Sequence, residues 1–274
     1  MKIHPTAIIH PDAQISDDVK IGAFVCIEDA AQIGAGCEIQ AHAVLSGDVR
    51  IGKNNRIGYG AVIGAWPQDL SFDPKRKSSV VIGDNNTIRE LCTIHRATGE
   101  GNATRVGNNN FLMAGAHLAH EVQLGDHIII ANNALLGGHV RVEDRVFIGG
   151  GCVFHQFVRV GRLAICQGLS AFSKDIPPFT LAAERNTVAG LNVVGLRRAG
   201  FSATQRTEIK DAFKLLYKSG LNTAQALKNA AQREWDENAR AFFDFVAAAK
   251  KRGICDLLET SRGGASSTQD DERD

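Results

Sequence analysis

The sequence predicts a mainly β protein: a parallel β-helix built on a hexapeptide repeat, followed by a small C-terminal α-helical domain. Three observations carry that prediction. Isoleucine or leucine stands at every sixth position, at Ile3, Ile9, Ile15, Ile21, Ile27, Ile33, Ile39, Leu45, Ile51, Ile57 and Ile63. After an excursion the period returns at Ile82, Ile88 and Ile94, and after another it runs from Val106 to Cys166. Beyond Phe172 the period is lost and helix-start signals replace it.

A period of six fits neither the helical repeat near 3.6 nor the two-residue alternation of a strand. It fits a coil in which each hexad forms one side of a three-sided prism. The large aliphatic at the first position of each hexad points inward. The fifth position is small, as at Ala7, Ala13, Val19, Val25, Ala31, Cys37 and Ala43, and fills the rest of a narrow core. Gly, Asn and Asp gather where the chain must bend. The pairs Asn54–Asn55, Asn85–Asn86, Asn109–Asn110 and Asn132–Asn133 suit left-handed corner residues, a conformation that Asn tolerates well. Three hexads make a coil, so residues 18 apart stack at about 4.8 Å per coil. Hexapeptide coils of this kind are left-handed, so a left-handed parallel β-helix is expected, although the period itself sets no hand.

The β-helix is expected over residues 1–190. Residues 64–81 and 96–105 break the repeat and are expected to leave the prism as loops, where binding groups are commonly mounted. The run Lys174-Asp175-Ile176-Pro177-Pro178 stops the repeat. A helical domain is expected over 191–259. Ser202 and Gln205 form a capping-box pattern for a helix running to Ser219–Gly220, with Ile209, Ala212, Phe213, Leu215 and Leu216 on its apolar face. Further helices are expected at about 223–232 and 236–251, the latter carrying Phe242, Phe243, Phe245 and Val246. The Ser/Gly/Asp-rich stretch 260–274 reads as disordered.

A formal net charge of +1 over 274 residues gives no bulk attraction for nucleic acid or an anionic membrane. No apolar run approaches the ~20 residues needed to span a bilayer. Met1-Lys2-Ile3-His4 enters the repeat at once and leaves no room for a signal peptide, so a cytoplasmic protein without stable membrane insertion is expected. Cys37, Cys92 and Cys152 occupy the small fifth position and Cys166 the first, so they read as buried apolar residues. The absence of CxxC suggests neither a zinc knuckle nor a redox pair.

Chemistry points to the histidines. His120, Gly138 and Gln156 each lie two residues past an inward position and 18 apart, so they stack on one edge, with His117, His139 and His155 alongside. A single histidine of this kind is usually a solvated corner residue; four in one column are poorly explained that way. Two chemistries fit. His120 can act as a general base, with Glu121 orienting the ring. Alternatively, three imidazoles can hold a metal with one open position. Spacing does not separate them.

The runs Leu112–His120, Ala131-Asn132-Asn133-Ala134 and His155-Gln156-Phe157 resemble a specific family. So do Pro67–Leu70, Thr93–Arg96, Asp175–Pro178 and Gly195–Phe201, in order across residues 3–220. The family is that of the UDP-N-acetylglucosamine acyltransferases that begin lipid A synthesis. It transfers a 3-hydroxyacyl chain from acyl carrier protein to the sugar 3-position, without metal or cofactor, the acyl carrier being a co-substrate. The resemblance implies that His120 is the general base, that Glu121 takes the place of the usual Asp, and that the Gly138 N–H stabilises the oxyanion. It implies that His117, His139, His155 and Gln156 line the substrate site, and that Asp69 reaches the sugar from a neighbouring subunit's loop. Asn192 and Arg198 match positions associated with the nucleotide or acyl donor, and Gly168 the position that gauges acyl length. Homotrimers are the family habit. The basic residues Arg197, Arg198, Arg206, Lys210, Lys214 and Lys218 suit an acidic acyl carrier.

The chain departs from the pattern where Ser71 replaces the usual Lys, at Val194, and over Ala183–Thr187. These positions bear on acceptor recognition, and they motivate an alternative acceptor, a nucleotide sugar carrying a 3-amino group. A metalloenzyme of the γ-carbonic-anhydrase kind, also a β-helical trimer with inter-subunit histidines, is the alternative of a different class. A non-catalytic scaffold is a third.

Overall fold

The computed structural model describes residues 2–258. The chain winds as a left-handed, three-sided parallel β-helix with helices at its C-terminal end. The first face begins with Lys2–Ile3, the second with Ile8–Ile9 and the third with Gln14–Ile15; among the described residues the faces hold 12, 9 and 8 strands. The register is the one that the hexads set, with Ile3 beside Ile21 and Leu118 beside Leu136. Every repeat aliphatic from Ile21 to Cys166 is buried, whereas Ile3, Ile9 and Ile15 line the open first coil.

The asparagine pairs do two jobs, not the single corner role that the sequence suggested. Asn54, Asn85 and Asn109 take φ of 55°, 58° and 57° at the corners. Their successors Asn55, Asn86 and Asn110 instead turn inward and are buried at the small fifth position. There they form a ladder: Asn86 donates through its backbone and side chain to Asn55 Oδ1, and Asn86 Oδ1 accepts from the Asn110 N–H. A polar side chain survives in an apolar core because each amide satisfies the next coil. In the fourth pair the phase differs by one, and Asn133 holds the corner.

Both excursions are shorter than their sequence limits. Ser79–Ile82 and Ala103–Val106 are four-residue strands of the third face, in register with Asp48–Ile51 and with each other. Alternation explains this: Val80 and Thr104 point inward beside Val49, so the loops proper cover 64–78 and 95–102. Both loops leave the corner between the second and third faces.

Past Pro177-Pro178, Thr180–Ala183 returns to the first face beside Ile165–Cys166, then pairs antiparallel with Thr187–Leu191. That hairpin covers the end of the prism. Helices α1 (Val193–Arg198), α2 (Ala203–Tyr217), α3 (Thr223–Ala230) and α4 (Glu237–Ala247) follow. The expected Ser202/Gln205 capping box is present, and Ile209, Ala212, Phe213 and Leu216 are the buried face of α2. Asp256–Leu257 then rejoins the first face beside Thr187–Val188, a strand within the stretch that the sequence assigned to helices. The stretch 260–274 lies outside the described residues.

Candidate active site

The corner between the second and third faces carries the chemistry. His120, Gly138 and Gln156 stack there as their spacing requires, the His139 N–H donating to the His120 carbonyl and the Phe157 N–H to that of Gly138, both at 2.9 Å. Glu121 (φ 54°), His139 (φ 60°) and Phe157 (φ 68°) take the left-handed corner conformation. That bend turns the Glu121 side chain back toward the preceding residue. Its Oε2 lies 2.6 Å from His120 Nδ1, and both side chains are buried.

Glu121 is unusually well held. Its Oε1 accepts from the Thr98 N–H at 2.8 Å, the Gly99 N–H at 2.9 Å and the Thr98 hydroxyl at 3.0 Å. Burial alone would raise its pKa, but the hydrogen bonds from His120, Gly99 and Thr98 outweigh it and lower the value to about 2. An ionised carboxylate only accepts, so His120 Nδ1 carries a proton, and in the neutral ring the lone pair is then on Nε2. This is the tautomer of a poised base.

Gly138 shows where Nε2 sits. A Cβ on that glycine would lie 2.5 Å from His120 Nε2 and 2.3 Å from Cε1. The ring therefore occupies the space above the glycine. The Gly138 N–H has no acceptor among the described residues, a property it shares with its corner neighbours His120 and Gln156. The His120 ring and a glycine whose N–H is unclaimed among the described residues thus lie against each other. His139 closes one side, edge-on to His120 at 5.2 Å and stacked on Phe157 at 4.4 Å.

Behind the dyad, His117 Nδ1 bonds the Thr93 hydroxyl at 2.7 Å and meets His95 edge-on at 5.1 Å. Burial first, then neighbouring His95, lower the His117 pKa to about 4, so it is neutral at physiological pH. His95 is lowered too, chiefly by burial, and its Nδ1 lacks a partner.

His120, Glu121 and His139 each place one ligand atom within 4.8 Å of the others. This is two imidazoles and a carboxylate, not the three imidazoles that the sequence left open. A cation there would have to displace the proton between His120 and Glu121 and compete with the Thr98 and Gly99 donors.

Comparison with known proteins decides the family. Residues 175–255 match the model for domain 2 of UDP-N-acetylglucosamine O-acyltransferase, and residues 30–65 and 103–138 match that of the bacterial transferase hexapeptide. An acyl-[acyl-carrier-protein]--UDP-N-acetylglucosamine O-acyltransferase from Campylobacter concisus is 38% identical over 263 residues, covering 95% of this chain and 96% of the relative. One from Gloeothece citriformis is 45% identical over 237 residues, 86% and 85% of the two chains. The crystal structure of a UDP-N-acetylglucosamine acyltransferase from Bacteroides fragilis superposes with a TM-score of 0.87 at 42% identity, covering 92% and 99%. This chain belongs to the UDP-N-acetylglucosamine O-acyltransferase family.

Within this acyltransferase the remaining expected residues do not all meet in one chain. Asp69 does approach: its loop leaves the same corner, and His120 and Glu121 are near enough for their charges to act on it. The N–H and hydroxyl of Ser71 bind the exposed Asp69 carboxylate at 2.8 and 2.7 Å and keep it below the usual carboxylate range. Gly168 stacks over Gly150 and Asn132 at the corner between the first and second faces, across the second face from His120. Asn192 is buried and committed within the chain: its Oδ1 caps α1 through the Gly195 N–H, and its Nδ2 donates to the Leu163 carbonyl. Its role in one chain is to position α1, whose last turn presents exposed Arg197 and Arg198.

His155 and Gln156 have a partner that the sequence did not suggest. Arg252, from the segment after α4, donates to His155 Nδ1 at 2.7 Å and to the Gln156 carbonyl at 2.6 Å. Nearly 100 residues separate them, and no local pattern could have signalled it. Thr98 and Gly99 were missed for a related reason, since the excursion reads only as a break in the repeat.

Proposed function

We propose that this acyltransferase moves a 3-hydroxyacyl group from acyl carrier protein to the 3-hydroxyl of UDP-N-acetylglucosamine, the first step of lipid A synthesis. The observation that carries the reading is the His120–Glu121 dyad, whose imidazole packs directly against Gly138. His120 Nε2 takes the proton of the sugar hydroxyl as its oxygen attacks the thioester carbon. Ionised Glu121 stabilises the imidazolium that results. The carbonyl oxygen becomes an oxyanion and accepts from the Gly138 N–H. Collapse expels the carrier's thiolate, which takes the proton from His120. The atoms balance without a cofactor.

His117, His139, His155, Gln156 and Asp69 line the acceptor side, and Arg198 faces the nucleotide or the acyl donor. Gly168 gauges acyl length from a second copy of the chain, because one copy puts His120 and Gly168 on opposite edges of the second face. A homotrimer supplies that copy. Exposed Leu135 and Val153 on the second face, and Ile129 and Phe147 on the first, support such packing. No helix among the described residues is long and apolar enough to cross a membrane. A nucleotide sugar and an acyl carrier as substrates support a cytoplasmic location.

One observation favours a second acceptor. Ser71, where the family usually has Lys, holds Asp69 ionised near His120, and an anionic carboxylate suits a 3-amino sugar as well as a hydroxyl. The test is to incubate purified protein with 3-hydroxyacyl carrier proteins of several lengths and UDP-N-acetylglucosamine, and to treat the product with hydroxylamine. A labile ester at the 3-position supports the main reading. No transfer to this sugar, with a hydroxylamine-resistant product from the 3-amino analogue, supports the second.

A further inference from the structure

The second excursion has no role in completing the prism. Ile94 pairs with Leu118, a separation of 24 residues where a plain coil takes 18, as from Leu118 to Leu136, so six residues are added at this corner. The added loop is anchored from outside by contacts that do not involve the dyad. The buried Ser78 hydroxyl donates to the Ala97 carbonyl at 2.5 Å, Arg76 Nη1 to the Thr98 carbonyl at 3.3 Å, and the Gly101 N–H to the Lys77 carbonyl at 2.7 Å. Held there, the loop turns the Thr98 N–H, the Thr98 hydroxyl and the Gly99 N–H onto one carboxylate.

That carboxylate needs them. Glu121 lies at a left-handed corner, a conformation that non-glycine side chains adopt at a cost, and its side chain is long and otherwise free to rotate. With Oε1 fixed by these donors, and the Thr98 hydroxyl also 3.2 Å from Oε2, Oε2 is held against His120 Nδ1. We propose that Thr98 is a positioning residue for acyl transfer: the loop 95–102 is a cradle that fixes Glu121, and through it the tautomer and orientation of the His120 base. Asn102, whose Nδ2 lies 3.4 Å from Glu121 Oε1, closes the same cradle. The inference rests on the dyad reading of the proposed function.

Its test is a double-mutant cycle between Thr98→Val and Glu121→Ala, with Thr98→Ser as the conservative control. Steady-state acyl transfer is measured for each variant with UDP-N-acetylglucosamine and the preferred 3-hydroxyacyl carrier protein. Losing one hydroxyl donor to a charged acceptor is expected to lower kcat about tenfold, with KM for both substrates within about twofold. Thr98→Ser should restore kcat, and Thr98→Val should cost nothing further in the Glu121→Ala background. A Thr98→Val variant with wild-type kcat overturns the inference. So does an equal loss with and without Glu121, which would make Thr98 merely structural or independently acting. Wild-type turnover in Glu121→Ala indicts the dyad itself, and is distinguishable from an inactive Glu121→Ala beside a fully active Thr98→Val.

Discussion

Replacing Gly138 by alanine should disable this enzyme while leaving it folded. The added methyl would stand 2.3 Å from His120 Cε1 and 2.5 Å from Nε2. Carbon contacts settle near 3.5 Å or beyond, so the ring must retreat by roughly 1 Å. A retreat of that size along the line from Glu121 would open the 2.6 Å contact to about 3.6 Å, where no hydrogen bond remains. The backbone is no obstacle, because Gly138 is not among the residues with positive φ. A misplacement of about 1 Å at a reacting group costs on the order of 100-fold. Initial rates, read by mass spectrometry of the acylated sugar nucleotide, should therefore show kcat reduced about 100-fold. The thermal midpoint by circular dichroism should move by less than about 4 °C. A natively folded variant with kcat within threefold of wild type would refute the claim that His120 works from this position.

Three further outcomes are expected. Asn86→Ala removes the middle rung of the buried amide ladder and strands polar groups of Asn55 and Asn110; urea unfolding should show a loss of about 2–4 kcal/mol, and a loss under 0.5 kcal/mol would deny the ladder its role. His117 adds a defined pH dependence. Below pH 6.5 the unfolded chain takes up a proton there, whereas the native ring refuses it until about pH 4. The stability owed to the neutral ring is thus complete above 6.5 and falls away from 6.5 to 4. Urea midpoints of His117→Gln should fall less steeply than wild type across that window, and parallel curves would contradict the assignment. In Gly168→Met the Cβ meets only Gly150, its carbonyl oxygen at 3.2 Å and its nitrogen at 3.6 Å, at an exposed corner. It should lower kcat/KM for long 3-hydroxyacyl carriers at least tenfold relative to short ones, and an unchanged chain-length profile would remove Gly168 from the acyl site.

Most of the fold was legible because the repeat is a direct image of the geometry: each first-position aliphatic names one inward residue and each step of 18 names a neighbour. The column His120, Gly138, Gln156 followed from the same arithmetic. What failed to show was whatever the period does not encode. Asn55, Asn86 and Asn110 read as corner residues because asparagine suits turns, and only the stacking of one coil on the next reveals that their amides satisfy each other inside. The loop that holds Glu121 registers in sequence only as missing hexads, so its donors, two of them backbone N–H groups, leave no signature. Arg252 reaches His155 after four helices, and nothing local to either residue predicts that meeting. Gly168 and His120, both expected to serve the substrates, lie at different corners of one chain.

The most direct test of the account is acyl transfer by the purified protein beside His120→Ala, with UDP-N-acetylglucosamine and a 3-hydroxyacyl carrier protein. The account predicts turnover by the wild type and a fall of about 10²–10⁴-fold in kcat for the folded variant, the share that a positioned base contributes. A His120→Ala protein that turns over at the wild-type rate would contradict it.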